Sequence, residues 1–442
     1  MVRSRKGPLP IPWWEVKREM PSAADKLHTA DMAWWAKARF GMFIPWGLYA
    51  IPGGVWKGKR VPGGGEWIMN TARISDKRYA QLAKQFNPVN FNADQWVKIA
   101  KDAGMKYLVI TTKHHDGFCM FDTKATNYNV VAGTPWHTDP MALLSKACRK
   151  RGIRFGAYYS IMDWHSPDQV GADPAAHNYN PAHMKKGRNR NYLRFLKRQI
   201  SELIRQYHTN LIFFDGEWMH GWNRADARAL YFHIRRMAPA VILNARIGFG
   251  YGDYLTPEQN IPARGLPGSW ETNMTLNNTW GYASWDHDWK SSAMLIQHLI
   301  HCASGGGNFL LNVGPTDQGM IPQPEAERLM EVGKWLKVNG QAIYGSDRSP
   351  FKTALPFGYA TQKPGKVFLE VIRWPKSHTL AVPMTNRIAQ AYLLANPRIK
   401  LKTTSGSSGQ LVHLPAQAPD PAASVVVLKI KGAVKSTEAQ AP

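Results

Sequence analysis

The chain has 442 residues, a length that accommodates two or three domains. Apolar residues make up 44% and charged residues 20% of the chain, which is close to the average of folded proteins and excludes disorder over most of its length. The 56 Lys and Arg residues exceed the 31 Asp and Glu residues by 25. This balance favours an acidic partner, namely a nucleic acid, an anionic membrane surface or a sulfated or carboxylated glycan, with evenly spread surface charge as the alternative.

Targeting and cysteine signals are weak throughout the chain. No apolar run reaches the roughly 18 residues that a membrane-spanning helix needs, so no span is predicted. No signal peptide is visible, and the compartment stays open: secreted or periplasmic if a leader has been removed, and cytoplasmic otherwise. The three cysteines, Cys119, Cys148 and Cys302, have no metal-ligand spacing and are predicted to be buried thiols.

Short apolar runs predict the strands of the first 348 residues. They are continuous rather than alternating, which is typical of strands that are buried on both faces of a parallel sheet. The predicted strands are residues 40–44, 107–111, 154–159, 211–214, 240–243 and 308–312.

Amphipathic stretches between these runs predict helices over residues 94–103, 140–151, 190–207 and 324–338. Gly104, Gly152 and Gly340 follow three of them as stop signals. The repeated strand–helix order predicts a parallel α/β fold, and both a TIM-like (β/α)-barrel and an open sheet fit it. No glycine-rich phosphate loop follows the first strand, which weakens the dinucleotide-binding alternative.

The pattern changes after residue 348. Short alternating runs at residues 367–372, 391–394 and 425–430 predict a C-terminal antiparallel β-sandwich over residues 349–432. Residues 433–442 are predicted to be a disordered tail, and residues 1–348 are assigned to the barrel domain.

Acidic residues provide the candidates for catalysis. Asp215 directly follows the apolar run 211–214, where a carboxylate costs desolvation energy unless its charge is used; capping of the next helix is the alternative. Glu258 and Glu271 lie in the segment after the fifth predicted strand, and either can pair with Asp215 as the two carboxylates of a retaining glycosidase. An exposed loop position for Glu258 and a structural role for Glu271 are equally open. Arg246 ends the fifth strand and is expected to bind a hydroxyl or to tune a carboxylate, with a surface ion pair as the alternative.

His114 and His115 follow the second predicted strand. Because adjacent strand residues point to opposite faces, we do not expect both rings to bind one metal ion. Hydrogen bonds from ring nitrogens to sugar hydroxyls are the favoured interpretation, and one buried structural histidine is the alternative.

Aromatic residues stand at the ends of the strands that are predicted to open on the site. Of Tyr158 and Tyr159, one ring is expected to face the mouth of the barrel and the other the helices. Trp46, Trp67 and Trp218 are candidates to stack on a pyranose ring, although core packing is the simpler expectation for any one of them.

Several longer segments can be read together. In one-letter code they are FGMFIPWG (40–47), EW (66–67), KHHDGF (113–118), GAYYS (156–160), FFDGEW (213–218), NAR (244–246), WETNM (270–274), WGY (280–282) and GGGNFLLNVGP (305–315). In this order they resemble the family 29 α-L-fucosidases over nearly the whole chain.

The resemblance implies a (β/α)-barrel with a β-sandwich and retaining hydrolysis of α-L-fucosidic bonds in glycans, without a metal ion or organic cofactor. It assigns the nucleophile to Asp215 and the acid/base to Glu258 or Glu271, with Glu258 slightly preferred. It extends sugar-binding roles to Glu66, His114, His115, Tyr159 or Tyr158, and Arg246.

One position departs from the family pattern, because the histidine of the first strand is Pro45 here. Proline offers no side-chain hydrogen bond, so the exact sugar stays open between fucose, a sulfated or otherwise modified fucose, and another α-linked sugar. A catalytically silent carbohydrate-binding protein is a further alternative, and a nucleic-acid binder rests on charge alone.

Overall fold

The computed structural model describes residues 30–169, 189–219 and 221–437. Within these residues the strands are, in chain order, β1 (Phe40–Ile44), β2 (Val55–Trp56), β3 (Lys59–Arg60), β4 (Tyr107–Lys113), β5 (Arg154–Ser160), β6 (Leu211–Asp215), β7 (Ile242–Leu243), β8 (Glu271–Met274), β9 (Asn308–Asn312), β10 (Gly358–Lys363), β11 (Lys366–Val371), β12 (Thr379–Val382), β13 (Ile388–Leu393), β14 (Asn396–Lys400), β15 (Thr403–Gly406), β16 (Gly409–His413) and β17 (Ser424–Ile430). The helices there are α1 (Met32–Ala38), α2 (Ile68–Thr71), α3 (Asp76–Tyr79), α4 (Ala93–Asp102), α5 (Val130–Gly133), α6 (Pro140–Arg151), α7 (Asn189–Tyr207), α8 (Arg224–Met237), α9 (Ser292–Ser304) and α10 (Gln323–Ile343).

Seven parallel strands form the central sheet in the order β7-β6-β5-β4-β1-β9-β8. All residues of β1, β4 and β9 are buried, as expected for strands with a packed core on one face and helices on the other. The sheet curls into a barrel, and this confirms the predicted fold class.

An irregular segment, residues 254–258, lies between the two edge strands of this sheet. It makes parallel bridges to both sides, between Asn244 and Tyr254 and between Leu255 and Trp270. Pro257 in this segment has no N–H to donate, which explains why the pairing is broken into single bridges. The segment occupies the place of an eighth strand and ends at Glu258.

The predicted elements of the barrel agree with the observed ones, with three corrections. The fifth predicted strand shrinks to β7, because residues 240 and 241 still belong to the turn that follows α8. The last predicted helix runs on to Ile343 as α10, and Gly340 lies inside it as a buried residue rather than as a stop. The predicted strands at 107–111 and 211–214 extend to Lys113 and Asp215.

The C-terminal part consists of two antiparallel sheets. Five strands pair in the order β10-β11-β17-β13-β14 and three in the order β12-β16-β15, which confirms the β-sandwich. Leu369, Leu380 and Val426 belong to a hydrophobic core that is separate from the barrel core. The other face of the larger sheet packs on the barrel helices, where Trp335 Nε1 of α10 donates to the carbonyl of Ala423 at 2.8 Å.

We propose the domain boundary between residues 348 and 349, which the separate sandwich core supports. Part of the predicted tail is ordered, since Lys435 N donates to Asn386 Oδ1 and Thr437 N donates to the carbonyl of Pro383. Residues 438–442 of that tail, and residues 1–29 of the predicted barrel domain, lie outside the described residues.

All three cysteines are buried free thiols, as predicted. None of the helices in the described ranges has the length and apolar character needed to cross a bilayer.

Candidate functional site

A pocket opens at the carboxyl ends of the barrel strands and encloses about 520 Å³, its open mouth included. Aromatic, acidic and imidazole side chains line it together, which is the composition of a site for a small polar ligand with apolar faces. The lining residues are Phe43, Pro45, Glu66, Trp67, Thr111, His114, His115, Tyr158, Phe213, Asp215, Trp218, Arg246, Glu258, Asn273 and Trp280.

Asp215 is the last residue of β6, so the strand delivers its carboxylate directly to the pocket. Tyr158 donates its hydroxyl to Asp215 Oδ2 at 2.7 Å, and Arg246 Nη1 donates to Oδ1 at 2.6 Å. Both oxygens are therefore oriented by strong donors, while the side chain stays 13% exposed toward the pocket. This arrangement suits a carboxylate that reacts at a fixed angle.

Glu258 stands at the end of the irregular eighth segment and faces Asp215 across the same guanidinium. Arg246 Nη2 donates to Glu258 Oε2 at 2.6 Å, and Trp280 Nε1 donates to Oε1 at 3.2 Å. The side chain of Glu258 is 37% exposed, more than that of Asp215. The carboxylate of Glu258 is therefore held by two donors and accessible from the solvent.

Arg246 is the residue that joins the two acids. It lies in a short 3₁₀ turn, Ala245–Ile247, and its Nε donates to Thr256 Oγ1 at 3.2 Å. Burial alone would lower the pKa of this guanidinium, but the negative charges of Asp215 and Glu258 outweigh burial and raise the pKa above its ordinary value. The cation therefore persists, and it brings two carboxylates into one pocket without leaving either charge uncompensated.

His115 is held as one tautomer by its neighbour. Its Nδ1 lies 2.6 Å from Ser160 Oγ, and the Ser160 hydroxyl already donates to the carbonyl of Met162 at 2.6 Å. The proton between ring and serine must therefore belong to Nδ1. Burial, with the nearby charges of Lys113 and Arg246, lowers the pKa of His115 to about 3, so the ring is neutral. Its Nε2 consequently carries a lone pair, which can accept a hydrogen bond from a ligand hydroxyl.

His114 also lines the pocket, although adjacent strand residues were expected to face opposite ways. The strand β4 ends at Lys113, so the alternation no longer applies to the two histidines. The ring of His114 stacks on Tyr158 at 5.6 Å, and its Nδ1 makes no hydrogen bond within the described residues. Burial lowers the pKa of His114 well below its ordinary value, so it too offers a neutral ring to a ligand.

Glu66 and Trp67 enter the pocket from the short 3₁₀ turn Gly65–Trp67, which follows β3. The backbone N–H of Gly281 donates to Glu66 Oε2 at 2.8 Å, but burial dominates and raises the pKa of Glu66 to about 7. The carboxyl can therefore donate or accept at neutral pH. Trp67 packs edge-on against His115 and is half-buried, so part of its indole is available to a ligand.

Two predicted sugar-binding residues lie elsewhere. Trp46 is fully buried among the rings of Phe91 and Trp96, and its Nε1 donates to the carbonyl of Thr316, so it is a core residue. The hydroxyl of Tyr159 donates to Gln199 on α7, away from the pocket. The expected division between the two tyrosines is thus correct, and Tyr158 is the one that faces the site.

Glu271 does not reach the pocket. It is the first residue of β8, at the amino end of the barrel, where it is fully buried and accepts a hydrogen bond from Tyr107, the first residue of β4. Burial raises the pKa of Glu271 to about 8, so it is neutral at pH 7. The structural role left open for Glu271 is the one that the fold supports.

Six pocket residues were absent from the predicted site: Phe43, Pro45, Thr111, Phe213, Asn273 and Trp280. Trp280 donates to Glu258, Thr111 accepts the N–H of Trp46, and Asn273 has a buried Oδ1 without a hydrogen bond in the described part of the chain. Trp280 and Asn273 stand in segments whose pattern was recognised, so the signal was available. No group of three metal-binding side chains occurs within the described residues.

Comparisons with known proteins identify the family of the chain. The family described as "Alpha-L-fucosidase" matches residues 15–341. The tissue alpha-L-fucosidase of Bos taurus is 30% identical over 413 residues, covering 88% of this chain and 85% of the relative. The plasma alpha-L-fucosidase of Rattus norvegicus is 32% identical over 410 residues, covering 87% of each chain.

Solved structures give the same picture. Isoenzyme 1 of alpha-L-fucosidase from Paenibacillus thiaminolyticus is 34% identical with a TM-score of 0.81, covering 91% of this chain and 99% of that one. A family GH29 alpha-L-fucosidase from Bacteroides thetaiotaomicron, trapped as a covalent intermediate with 2-fluoro-fucosyl fluoride, is 30% identical with a TM-score of 0.82, covering 91% and 96%.

Removing the Ser160 hydroxyl should change the tautomer of His115. In Ser160→Ala, Nδ1 loses its acceptor and the proton shifts toward Nε2, which faces Asp215 Oδ2 at 3.7 Å. Nitrogen-15 NMR of the labelled histidine should show this shift, and Ser160→Thr, which keeps the hydroxyl, should resemble the wild type. An unchanged tautomer in Ser160→Ala would show that the serine does not set it.

Glu271→Gln should change how stability depends on pH. The carboxyl group of Glu271 has a pKa of about 4.3 in the unfolded chain, well below its pKa in the folded protein. As the pH rises from about 5 to about 8, Glu271 is therefore ionised in the unfolded wild type but still protonated in the folded one, and the wild type loses stability. The variant cannot ionise there, so its melting temperature relative to wild type should rise across that interval. Glu327→Gln, at an exposed position on α10, is the control: its melting temperature should differ from that of the wild type by the same amount across this interval. A constant difference for Glu271→Gln would contradict its burial as a neutral acid.

Proposed function

Because the chain belongs to the α-L-fucosidase family, glycoside hydrolase family 29, and is a glycoside hydrolase of that class, we propose that it removes terminal α-L-fucose from glycans by double displacement, with Asp215 as nucleophile and Glu258 as acid/base. The observation that carries this assignment is the single guanidinium that holds both carboxylates in one pocket.

In the first step Asp215 forms a bond to the anomeric carbon as the bond to the leaving oxygen breaks. Glu258 gives its proton to that oxygen. Arg246 and Tyr158 each hold one oxygen of Asp215. One oxygen can therefore keep its hydrogen bond while the other oxygen forms the bond to carbon. For Glu258 to carry a proton, its contact with Arg246 must loosen when substrate enters, which its partial exposure permits.

In the second step Glu258, now ionised, takes a proton from water, and the water oxygen attacks the anomeric carbon. The bond to Asp215 breaks and the carboxylate returns to Arg246. The ion pair between Arg246 and Glu258 that the structure holds is the arrangement suited to this step. His114 and His115, both neutral, and Glu66 face the sugar hydroxyls in this proposal.

Pro45 supports keeping a second candidate function, hydrolysis of another α-linked sugar. It lines the pocket at the place where the family pattern has a histidine, and it leaves the neighbouring hydroxyl without that partner. Sulfated or otherwise modified fucosides are a further substrate class in this proposal. A panel of aryl glycosides separates these options, since highest kcat/KM on an α-L-fucoside supports the first function and highest kcat/KM on another sugar supports the second.

Asp215→Ala should lower kcat on an aryl α-L-fucoside by at least about a thousandfold, because the carboxylate that attacks the anomeric carbon is lost. Azide should restore part of the rate by entering the space and should form a β-fucosyl azide, which proton NMR identifies. Activity close to wild type in Asp215→Ala would remove the residue from the mechanism.

Glu258→Gln and Glu271→Gln should separate the two glutamates. Glu258→Gln should slow hydrolysis of a fucosyl oligosaccharide by about 10²–10⁴-fold, the usual contribution of general acid–base catalysis. The loss in bond cleavage should be much smaller for a dinitrophenyl fucoside, whose leaving group needs no proton. Glu271→Gln, the matched control, should stay within a few-fold of wild type on both substrates. The reverse pattern would transfer the acid/base role to Glu271.

A further inference from the structure

A short hairpin beside the pocket presents an unusual amount of positive charge. Strands β2 and β3 are joined by Lys57 and Gly58, whose φ angles of 49° and 73° are both positive, as in the tight turns that suit two-residue hairpins. The turn lifts the side chains of Lys57, Lys59 and Arg60 into solvent. The neighbouring helix α3 adds the exposed Arg78.

Two of these cations lie over indole rings. The guanidinium carbon of Arg60 lies 3.5 Å from the ring centre of Trp285, and that of Arg78 lies 5.3 Å from the ring centre of Trp56. A guanidinium held over an indole by a cation–π contact keeps N–H groups free to bind a planar or tetrahedral anion. Trp56 pairs with Lys59 and Val55 with Arg60, so the two cation–indole pairs flank the hairpin on its two faces. We call these four residues, Trp56, Arg60, Arg78 and Trp285, the arginine–indole rim.

Neither arginine of the rim forms an ion pair with a carboxylate in the part of the chain that the structure describes. The two acids in residues 57–78 are engaged elsewhere, since Asp76 binds His165 Nδ1 at 2.7 Å and Glu66 faces the pocket. Asp286 and Asp288, near Trp285 in sequence, have oxygens that accept hydrogen bonds from Asn278. Six exposed cations have no ion pair with a described carboxylate, namely Lys57, Lys59, Arg60, Arg73, Lys77 and Arg78.

The rim is tied directly to the pocket wall. Trp285 Nε1 donates to the carbonyl of Gly54 at 3.0 Å, which fastens the hairpin to the segment that contains Trp280. That segment contributes Trp280 to the pocket and binds Glu66 through Gly281. A glycan that extends from the pocket past the segment of Trp280 therefore runs toward the rim.

We propose that the arginine–indole rim is a subsite for an anionic group, a sulfate ester or a carboxylate, on the part of the glycan that remains after the fucose leaves. This inference rests on the proposed function, because it makes the rim the continuation of the fucose pocket. Guanidinium groups bind sulfate and carboxylate through paired N–H donors, and the indole edges pack against the sugar that carries the anion. The strong positive charge of the chain adds a long-range attraction for the same substrates.

The test compares three substrates: an aryl α-L-fucoside, a neutral fucosyl oligosaccharide, and the same oligosaccharide sulfated on the sugar next to fucose. Wild type should prefer the sulfated substrate over the neutral one, and the preference should shrink as salt is added. Replacing both arginines, Arg60→Gln with Arg78→Gln, should raise KM for the sulfated substrate about tenfold, leave its kcat nearly unchanged, and keep the aryl fucoside within twofold of wild type. Arg398→Gln, an exposed cation on β14, is the charge-matched control and should change none of these values.

The outcomes separate the two proposals. Good hydrolysis of the aryl fucoside without preference for the sulfated substrate overturns the rim and leaves the fucosidase function standing, whereas failure on every fucoside overturns the function. Calorimetry with the sulfated oligosaccharide that lacks fucose tests the rim without turnover: binding to wild type that the double variant loses supports it. Equal losses on neutral and sulfated substrates indicate a structural role only, and equal competition by single-stranded DNA indicates unspecific attraction of polyanions; either result contradicts the proposal.

Discussion

The buried guanidinium of Arg246 is the interaction on which the site depends. Two carboxylates in one pocket repel each other and are costly to desolvate, and a shared cation removes both problems at once. Because Arg246 contacts Asp215 with one terminal nitrogen and Glu258 with the other, its planar shape also fixes where the acids stand. The barrel positions both acids, because β6 and the irregular eighth segment end at the same end of the barrel.

The two ends of the barrel use carboxyl groups in different ways. At the carboxyl end, Glu258 is partly exposed in the pocket and paired with the cation of Arg246. At the amino end, Glu271 is enclosed by Tyr107 and its neighbours, has no counter-ion among the described residues, and stays neutral. Both glutamates follow Asp215 in the sequence, and they differ in their position along the barrel axis. Glu258 lies at the end that carries the pocket, and Glu271 lies at the opposite end.

Much of the fold was predictable, because five strands are continuous apolar runs, which are typical of a buried parallel sheet: β1, β4, β5, β6 and β9. Asp215 was predictable for the same reason, since a charge directly after such a run stands out. Other features leave no such signal. The sequence ETNM of β8 is not an apolar run, so nothing showed that Glu271 begins a strand rather than ends one. Alternation predicts that Tyr158 and Tyr159 face opposite ways but not which one faces the pocket, and the burial of Trp46 depends on rings distant in sequence.

The central claim, that Asp215 forms the covalent bond to the sugar, can be tested by trapping that bond. The protein is incubated with 2-fluoro-fucosyl fluoride, digested, and mapped by mass spectrometry. We expect one fucosyl adduct, on the peptide that contains Asp215, and slower formation of this adduct in Arg246→Lys, where the paired contacts are lost. An adduct on another residue, or rapid release of the sugar with no adduct and inverted configuration at the anomeric carbon, would contradict it.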